Sequence, residues 1–272
     1  MTPTTQWLID QMEAWAPAAW AIETDNVGLQ IGDLTRPVHR VLCALDLSEE
    51  VLREAIRGRF DFIITHHPLI SRHVQPINRI TADNALGKKL MSLIGNGIGL
   101  FCAHTNLDVA PGGVNDLLFE LIGLSGKESL SPSKIPELPT LGLVGHLPRP
   151  LPLAEIAAQM KEVLSSDVIR FIGQADRMIS KVGLCSGNGT HPDLVRAALR
   201  KNCELYITGD VGYHLAMEAV ESGMALIDGT HYATEIPIAA AIANQIKNSA
   251  EIHKMELHVE CAQTNGQVFK PS

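Results

Sequence analysis

Phe60-Asp61-Phe62-Ile63-Ile64-Thr65-His66-His67-Pro68-Leu69 is the stretch that decides the fold. Four of the five residues from Phe60 to Ile64 are apolar and aromatic or β-branched, the make-up of a buried strand nearing its end. Pro68 cannot donate to a strand ladder, so pairing stops at the two histidines. Neighbouring residues on a strand point to opposite faces, so His66 and His67 converge only where the strand gives way to a loop. In α/β folds that C-terminal strand edge is where ligands bind. Two neutral imidazoles there suit a metal, or one metal each. The alternative is a pair of hydrogen-bonded structural histidines.

Outward from this stretch the chain alternates strand and helix. Upstream, Thr4 to Trp15 predicts a short amphipathic helix, and Asp25-Asn26 a turn into an edge strand. Val41 to Leu47 reads as a strand, followed by a helix from Glu49 to Arg57 that Ser48 can cap. Downstream, a helix from Ala82 to Ile94 ends at Gly95-Asn96-Gly97, and the strand Ile98 to Ala103 empties into His104-Thr105-Asn106-Leu107-Asp108. A helix from Val114 to Ile122 closes this unit. Proline and polar residues then mark 125–140 as a linker. A strand at Leu141 to Leu147, a helix at Leu153 to Leu164 and a strand at Val168 to Ile172 come next.

The first pattern then returns. Strands are expected at Val182–Cys185, Leu205–Asp210 and Met224–Ile227, with helices at Pro192–Arg200 and Tyr213–Ser222 between them. A helix from Pro237 to Ile246 and a strand from Met255 to Ala262 finish the chain. Ile64-Thr65-His66-His67 falls where Ile207-Thr208-Gly209-Asp210 falls, and His104-x-x-x-Asp108 where His231-x-x-x-Glu235 falls. A histidine and an acid four residues apart can share one face of a helical turn and offer both ligands to one ion. Strand-end polar residues are common in α/β chains, but meeting the pattern twice at equivalent places argues against chance. Two lobes about a local two-fold axis would bring the segments together.

His66, His67, Asp108, His231 and Glu235, with His104 nearby, offer only nitrogen and oxygen. They exceed what one tetrahedral zinc takes, so two divalent ions are the natural reading. Asp108 or Glu235 can bridge ions about 3.5–4 Å apart, and such a pair lowers the pKa of a shared water. The implied chemistry is hydrolytic, with zinc, iron, manganese, cobalt or nickel as candidates. His104 is then a sixth ligand or a proton carrier. Asp210 and His214 are candidates for substrate contact or proton transfer, or else a solvated helix start with Asp210 as its cap. Gly187-Asn188-Gly189 lacks the companions of a phosphate loop and reads as a turn, and Pro111-Gly112-Gly113 as a tight connection.

The 272 residues give a prior of about two domains. With 46% hydrophobic and 19% charged residues, disorder is excluded. A net charge of −8 leaves no basic surface for a phosphate backbone, which argues against nucleic acid. Cys43, Cys102, Cys185, Cys203 and Cys261 contain no C-x-x-C pair, so thiolate zinc sites drop out and a reducing cytosol is implied. No apolar run spans a bilayer and no leader is legible, so a cytoplasmic protein without membrane contact is expected.

Six motifs carry a resemblance across essentially the whole chain. They are Asp25-Asn26-Val27-Gly28-Leu29, Ile64-Thr65-His66-His67-Pro68, His104 to Asp108, Gly112-Gly113-Val114-Asn115-Asp116, Thr208-Gly209-Asp210 with Tyr213-His214, and Asp228-x-x-His231-x-x-x-Glu235. In this order they are similar to the GTP cyclohydrolase I type 2 homologue family, the NIF-three-like dinuclear metal proteins. Thr24 departs from the family's usual aromatic before Asp-Asn. The resemblance implies two related three-layer α/β/α lobes forming an internal repeat. It also implies a di-metal site between them, ligands at His66, His67, Asp108, His231 and Glu235, and a toroidal homohexamer. The expected division is a first lobe at 1–124, the linker at 125–140 and a second lobe at 141–235. Residues 236–272 are expected to pack back on the first lobe. Some bacterial members insert a domain between the lobes; this chain resembles the compact form. The function implied is a di-metal hydrolase acting on a small, nucleotide-like or phosphorylated molecule. A metal-binding scaffold or regulator is the alternative.

Overall fold

The computed structural model describes residues 1–71, 77–131, 141–264 and 266–269. The chain runs α1 (Thr5–Trp15), a short 3-10 turn (Ala18–Trp20), β1 (Gly28–Ile31), β2 (Arg40–Ala44), α2 (Glu49–Arg57), β3 (Phe62–Thr65), α3 (Ala85–Asn96), β4 (Gly99–Cys102), α4 (Thr105–Val109) and α5 (Val114–Leu121). It continues through β5 (Ser125–Ser129), β6 (Leu143–Pro152), α6 (Leu153–Val163), β7 (Arg170–Ile172), β8 (Met178–Leu184), α7 (Pro192–Arg200), β9 (Leu205–Thr208) and α8 (Tyr213–Glu221). It ends with β10 (Ala225–Asp228), α9 (His231–Glu235), α10 (Pro237–Ile252) and β11 (His258–Cys261). The chain divides into two compact units, Met1–Leu107 with Ile238–Gly266, and Asp108–Pro237 with the residues from Gln267 onward.

In the first unit the sheet order is β1-β4-β3-β2-β11. Strands β11, β2, β3 and β4 run parallel and β1 lies antiparallel on the edge. A parallel strand is covered on both faces, which is why β3 and β4 are buried at every residue and read as unbroken apolar runs. Helix α2 is built by local chemistry: the Ser48 side chain accepts from Val51 N–H at 3.1 Å, Glu49 and Glu50 open the helix, and Arg57 closes it. It buries Val51, Leu52 and Ala55 in a cluster with Leu42, Ile63, Leu93 and Leu100. Each such branched side chain contributes roughly 1.5–3 kcal/mol. Helix α3 starts at Ala85 rather than Ala82 because Asn84 caps it, accepting from Gly87 N–H at 2.8 Å. It ends at Gly97, whose φ of 64° suits glycine.

In the second unit the order is β5-β6-β8-β9-β10-β7. Here β8, β9 and β10 are parallel, while β5, β6 and β7 run antiparallel to their neighbours. Leu153, Ile156 and Met160 of α6 pack with Val182, Leu184, Leu205 and Ile227 of the sheet. Both β6 and β8 run past one end of their expected spans, because those paired outer ends bury a single residue each, Leu151 and Ile179, and carry no apolar run.

Strand trio β2-β3-β4 and trio β8-β9-β10 occupy equivalent places, each with an antiparallel edge strand (β1, β7) beside its third member. The series α1-β1-β2-α2-β3-α3-β4-α4-α5 repeats as α6-β7-β8-α7-β9-α8-β10-α9-α10, so the α/β internal repeat stands. The division differs from the expected one in two respects. The first unit stops at Leu107, and α5 belongs to the second, where Leu118 and Phe119 join the apolar cluster with Leu147 and Leu153. Ser125–Ser129, read as linker, is instead the edge strand β5, exposed throughout and therefore without an apolar signature. Residues 132–140 of that linker lie outside the described residues. At the other end, β11 adds to the first unit's sheet beside β2.

Candidate metal centre

The first unit gathers three histidines at the C-terminal ends of adjacent parallel strands. His66 and His67 follow β3 and His104 follows β4. Their rings lie at centroid distances of 4.9, 5.1 and 5.5 Å, and a nitrogen from each lies within 4.8 Å of the others. Each ring is held from behind at Nδ1. His66 Nδ1 donates to Ala103 O, His67 Nδ1 to Asp46 Oδ1 and His104 Nδ1 to Asp25 Oδ2, all at 2.8 Å. An acceptor at Nδ1 fixes the neutral ring with its lone pair on Nε2, the form that ligates metals. Asp25 also accepts from the Thr105 hydroxyl at 2.6 Å and from Thr105 N–H at 3.1 Å. Burial alone raises its pKa, but the bonds from His104 and Thr105 together outweigh burial and hold it well below the usual carboxylate range.

In the second unit, Thr230 caps α9 and His231 and Glu235 share one face of that single turn. His231 Nε2 lies 3.1 Å from Glu235 Oε2, and its Nδ1 donates to Asp210 Oδ2 at 2.7 Å. Asp108 and Glu235 offer oxygens within 4.8 Å of each other. Asn115 supports Asp108 by donating to its carbonyl at 2.9 Å, while accepting from Ser186 N–H at 2.9 Å. Gly187 presses its backbone against this pair. A Cβ there would fall 1.9 Å from Glu235 Oε1 and 3.2 Å from His231 Nε2, and its φ is 58°. The Cys185 thiol is pushed up first by burial and then by the Asp108 and Glu235 carboxylates. That negative environment favours a cation.

The remaining expected residues fall elsewhere or do other work. His214 is exposed on α8 with its ring against Tyr213. Asp210 does not cap α8, where Gly212 takes the N-cap position; it serves His231 instead. In the Gly187-Asn188-Gly189 loop, Gly187 N–H donates to Thr234 Oγ1 and Gly189 N–H to Thr208 Oγ1, so these amides are committed within the protein. Likewise Gly112 N–H donates to Asp116 and Gly113 N–H to Ala110 O. The sequence reading gave Asp25 and Asp46 no role. Their signal was only that of a polar residue in a turn and at a strand end.

Hard nitrogen and oxygen donors, rings fixed for Nε2 ligation and paired carboxylates fit a divalent cation of the first transition row. A doubled α/β fold with histidine and carboxylate groups at its strand ends defines a candidate metalloprotein of the NIF3-like kind. The family description Duf34/NIF3 (NGG1p interacting factor 3) matches residues 3–267, and the chain belongs to that family. A Clostridium perfringens protein called GTP cyclohydrolase 1 type 2 homolog is 34% identical over 240 residues, covering 88% of this chain and 90% of the relative. A Bacillus subtilis protein of the same name is 26% identical over 369 residues, covering 97% of each. That alignment is longer than this chain's 272 residues, so the relative carries an insertion absent here. Among solved structures, a Bacillus cereus protein related to NIF3 superposes with a TM-score of 0.92 at 26% identity over 100% of both chains. Reduced HcgD from Methanocaldococcus jannaschii gives 0.78 at 30% identity, over 97% of this chain and 99% of that one. Among the described residues no helix is long and apolar enough to cross a membrane.

Proposed function

We propose that this chain is a dinuclear metal-dependent hydrolase acting on a small, nucleotide-like or phosphorylated substrate. His66, His67, Asp108, His231 and Glu235 are its ligands. The observation that carries the reading is the anchoring of the histidine rings: His66, His67 and His231 each donate Nδ1–H to a backbone carbonyl or carboxylate, which orients Nε2 for ligation. Neither the paired histidines nor the α9 His-Glu pair is by itself a full coordination sphere, so the proposed ligand set draws on both. When bound, such ions supply Lewis acidity and an acidified water at neutral pH. His104, backed by Asp25, is placed to accept or return a proton beside His66 and His67. Asp108 and Glu235 add the negative charge that holds two cations together.

A cytoplasmic homohexamer belongs to the same proposal, through the family resemblance. It is supported by the exposed apolar residues Tyr213, Met217 and Val220 of α8 beside Ile172. Light scattering at micromolar concentration should give the mass of six chains; a monomer would refute that part. For the site, elemental analysis should find about two metal equivalents per wild-type chain and a clear deficit in His66→Ala and Glu235→Ala. Unchanged content in both variants rejects the ligand set. Metal-loaded wild type should hydrolyse at least one member of a panel of nucleotides, phosphoesters and small amides. Turnover of none by fully loaded protein moves the assignment to a metal-binding scaffold.

A further inference from the structure

We propose that Asp46 and Asp210 are positioning residues for the metal, each acting through one histidine ring. The inference rests on the ligand assignment above and extends it one shell outward. The two carboxylates occupy matching places one strand away from the ring they serve. Asp46 follows β2, which pairs with the β3 strand that leads into His67. Asp210 follows β9, which pairs with the β10 strand that leads into His231. The bonds are 2.8 Å for His67 Nδ1 to Asp46 and 2.7 Å for His231 Nδ1 to Asp210. A carboxylate accepts only, so each must take the Nδ1 proton, and the lone pair of the neutral ring stays on Nε2. Its charge also makes the imidazole a more basic ligand, as the neutral Ala103 carbonyl behind His66 does less well.

A second observation separates positioning from ordinary surface pairing. Asp210 sits at φ 54°, in left-handed backbone that non-glycine residues avoid. Its carboxylate is about half exposed, so the bond to His231 stabilises the fold little in return. Strain held at a residue that orients a candidate ligand is the pattern expected of a preorganised site.

Metal-free, full-length protein titrated with Zn(II) against a chromophoric chelator tests the proposal, with Co(II) absorption reporting ligand geometry. Asp46→Asn and Asp210→Asn keep size and an acceptor but lose the charge, and should bind Zn(II) about 10-fold more weakly. Asp210→Gly should bind about 10–100-fold more weakly, with an altered Co(II) spectrum, while the metal-free protein melts no lower than wild type because the strain is gone. A lowered melting temperature with wild-type affinity and spectrum would show a structural role and overturn the proposal. Wild-type affinity in the Asp variants, alongside loss in His67→Ala and His231→Ala, rejects this inference alone. Wild-type affinity in the His variants too rejects the ligand assignment with it.

Discussion

The end of β3 and the end of β9 hold the same position in the two repeats, and they do opposite things with it. After the fully buried Thr65 the first unit places His66 and His67. After the equally buried Thr208 the second places Gly209 and Asp210. A Cβ at Gly209 would lie 2.5 Å from His231 N and 2.7 Å from Thr230 C, so the backbone leading into α9 fills the space of a side chain. The second unit therefore cannot carry a ligand at His66's counterpart. Its histidine comes from the next strand along, on α9, and its strand-end carboxylate turns to hold that histidine. A duplicated scaffold has divided its labour: one copy displays imidazoles at a strand end, and the other closes a strained turn over that end. Both Asp210 (φ 54°) and Thr230 (φ 63°) bear the strain, whereas none of the first unit's three clustered histidines, nor Ala103, has positive φ.

The strongest way to break this comparison is at Gly209. Gly209→Ala forces a methyl onto backbone atoms that cannot swing away, and should cost about 2–4 kcal/mol in thermal or denaturant unfolding. Gly212→Ala is the control, because a Cβ there meets nothing within 4 Å and φ is −80°. It should change stability by no more than about 0.5 kcal/mol. Equal effects from the two would mean that the α9 turn does not close on the strand end.

How much of this was legible beforehand follows from what each residue leaves in a sequence. Fully buried parallel strands such as Phe62–Thr65 and Ala225–Asp228 are unbroken apolar runs, so the repeat could be read from hydrophobicity alone. His104 with Asp108 and His231 with Glu235 announced themselves because their spacing recurs, and His66-His67 because the pair ends a buried strand. The anchors Asp46 and Asp25 did not. Asp46 and Asp25 lie 21 and 79 residues from the histidines they hold, and only the sheet brings them together. The transfer of α5 to the second unit was hidden for a related reason. Periodicity gives a helix an apolar face but not the sheet that the face will cover, so α5 was assigned to the strands it follows.

The anchors sharpen the comparison through pH. Asp25 is held below its ordinary value of 3.8, against burial, by bonds from His104 and Thr105. A lowered carboxylate pKa contributes stability that is complete above the unfolded-state value and fades as pH falls towards the folded-state value. The first unit should therefore begin to lose this support below about pH 4. Asp25→Asn should cost about 1–2 kcal/mol near pH 6, where charge-assisted bonds are lost. The gap to wild type should narrow as pH drops from 4 to 3. A gap that stays constant through that range would show that the Asp25 charge contributes nothing.

The smallest effect is also the most direct comparison of the two units, since one kind of substitution should have opposite signs in them. Ala103 precedes His104 and Thr230 precedes His231, at equivalent places in the repeat. Ala103 is fully buried in ordinary backbone. Ala103→Gly loses a buried methyl and adds unfolded-state freedom, for a cost of about 1–2 kcal/mol. Thr230 lies at φ 63° and ψ 149°, a region that glycine alone visits readily, at a strain of about 1–3 kcal/mol. Its hydroxyl caps α9 by accepting from Ala233 N–H at 3.2 Å, but replacing a cap by glycine costs only a few tenths of a kcal/mol. The backbone carbonyl that accepts from the Thr234 hydroxyl at 2.8 Å stays in place. Thr230→Gly should accordingly leave the metal-free protein unchanged or more stable, by up to about 1 kcal/mol, in parallel denaturant titrations. If both substitutions destabilise equally, the strain assigned to the second unit is not real, and the two turns hold their histidines in the same way.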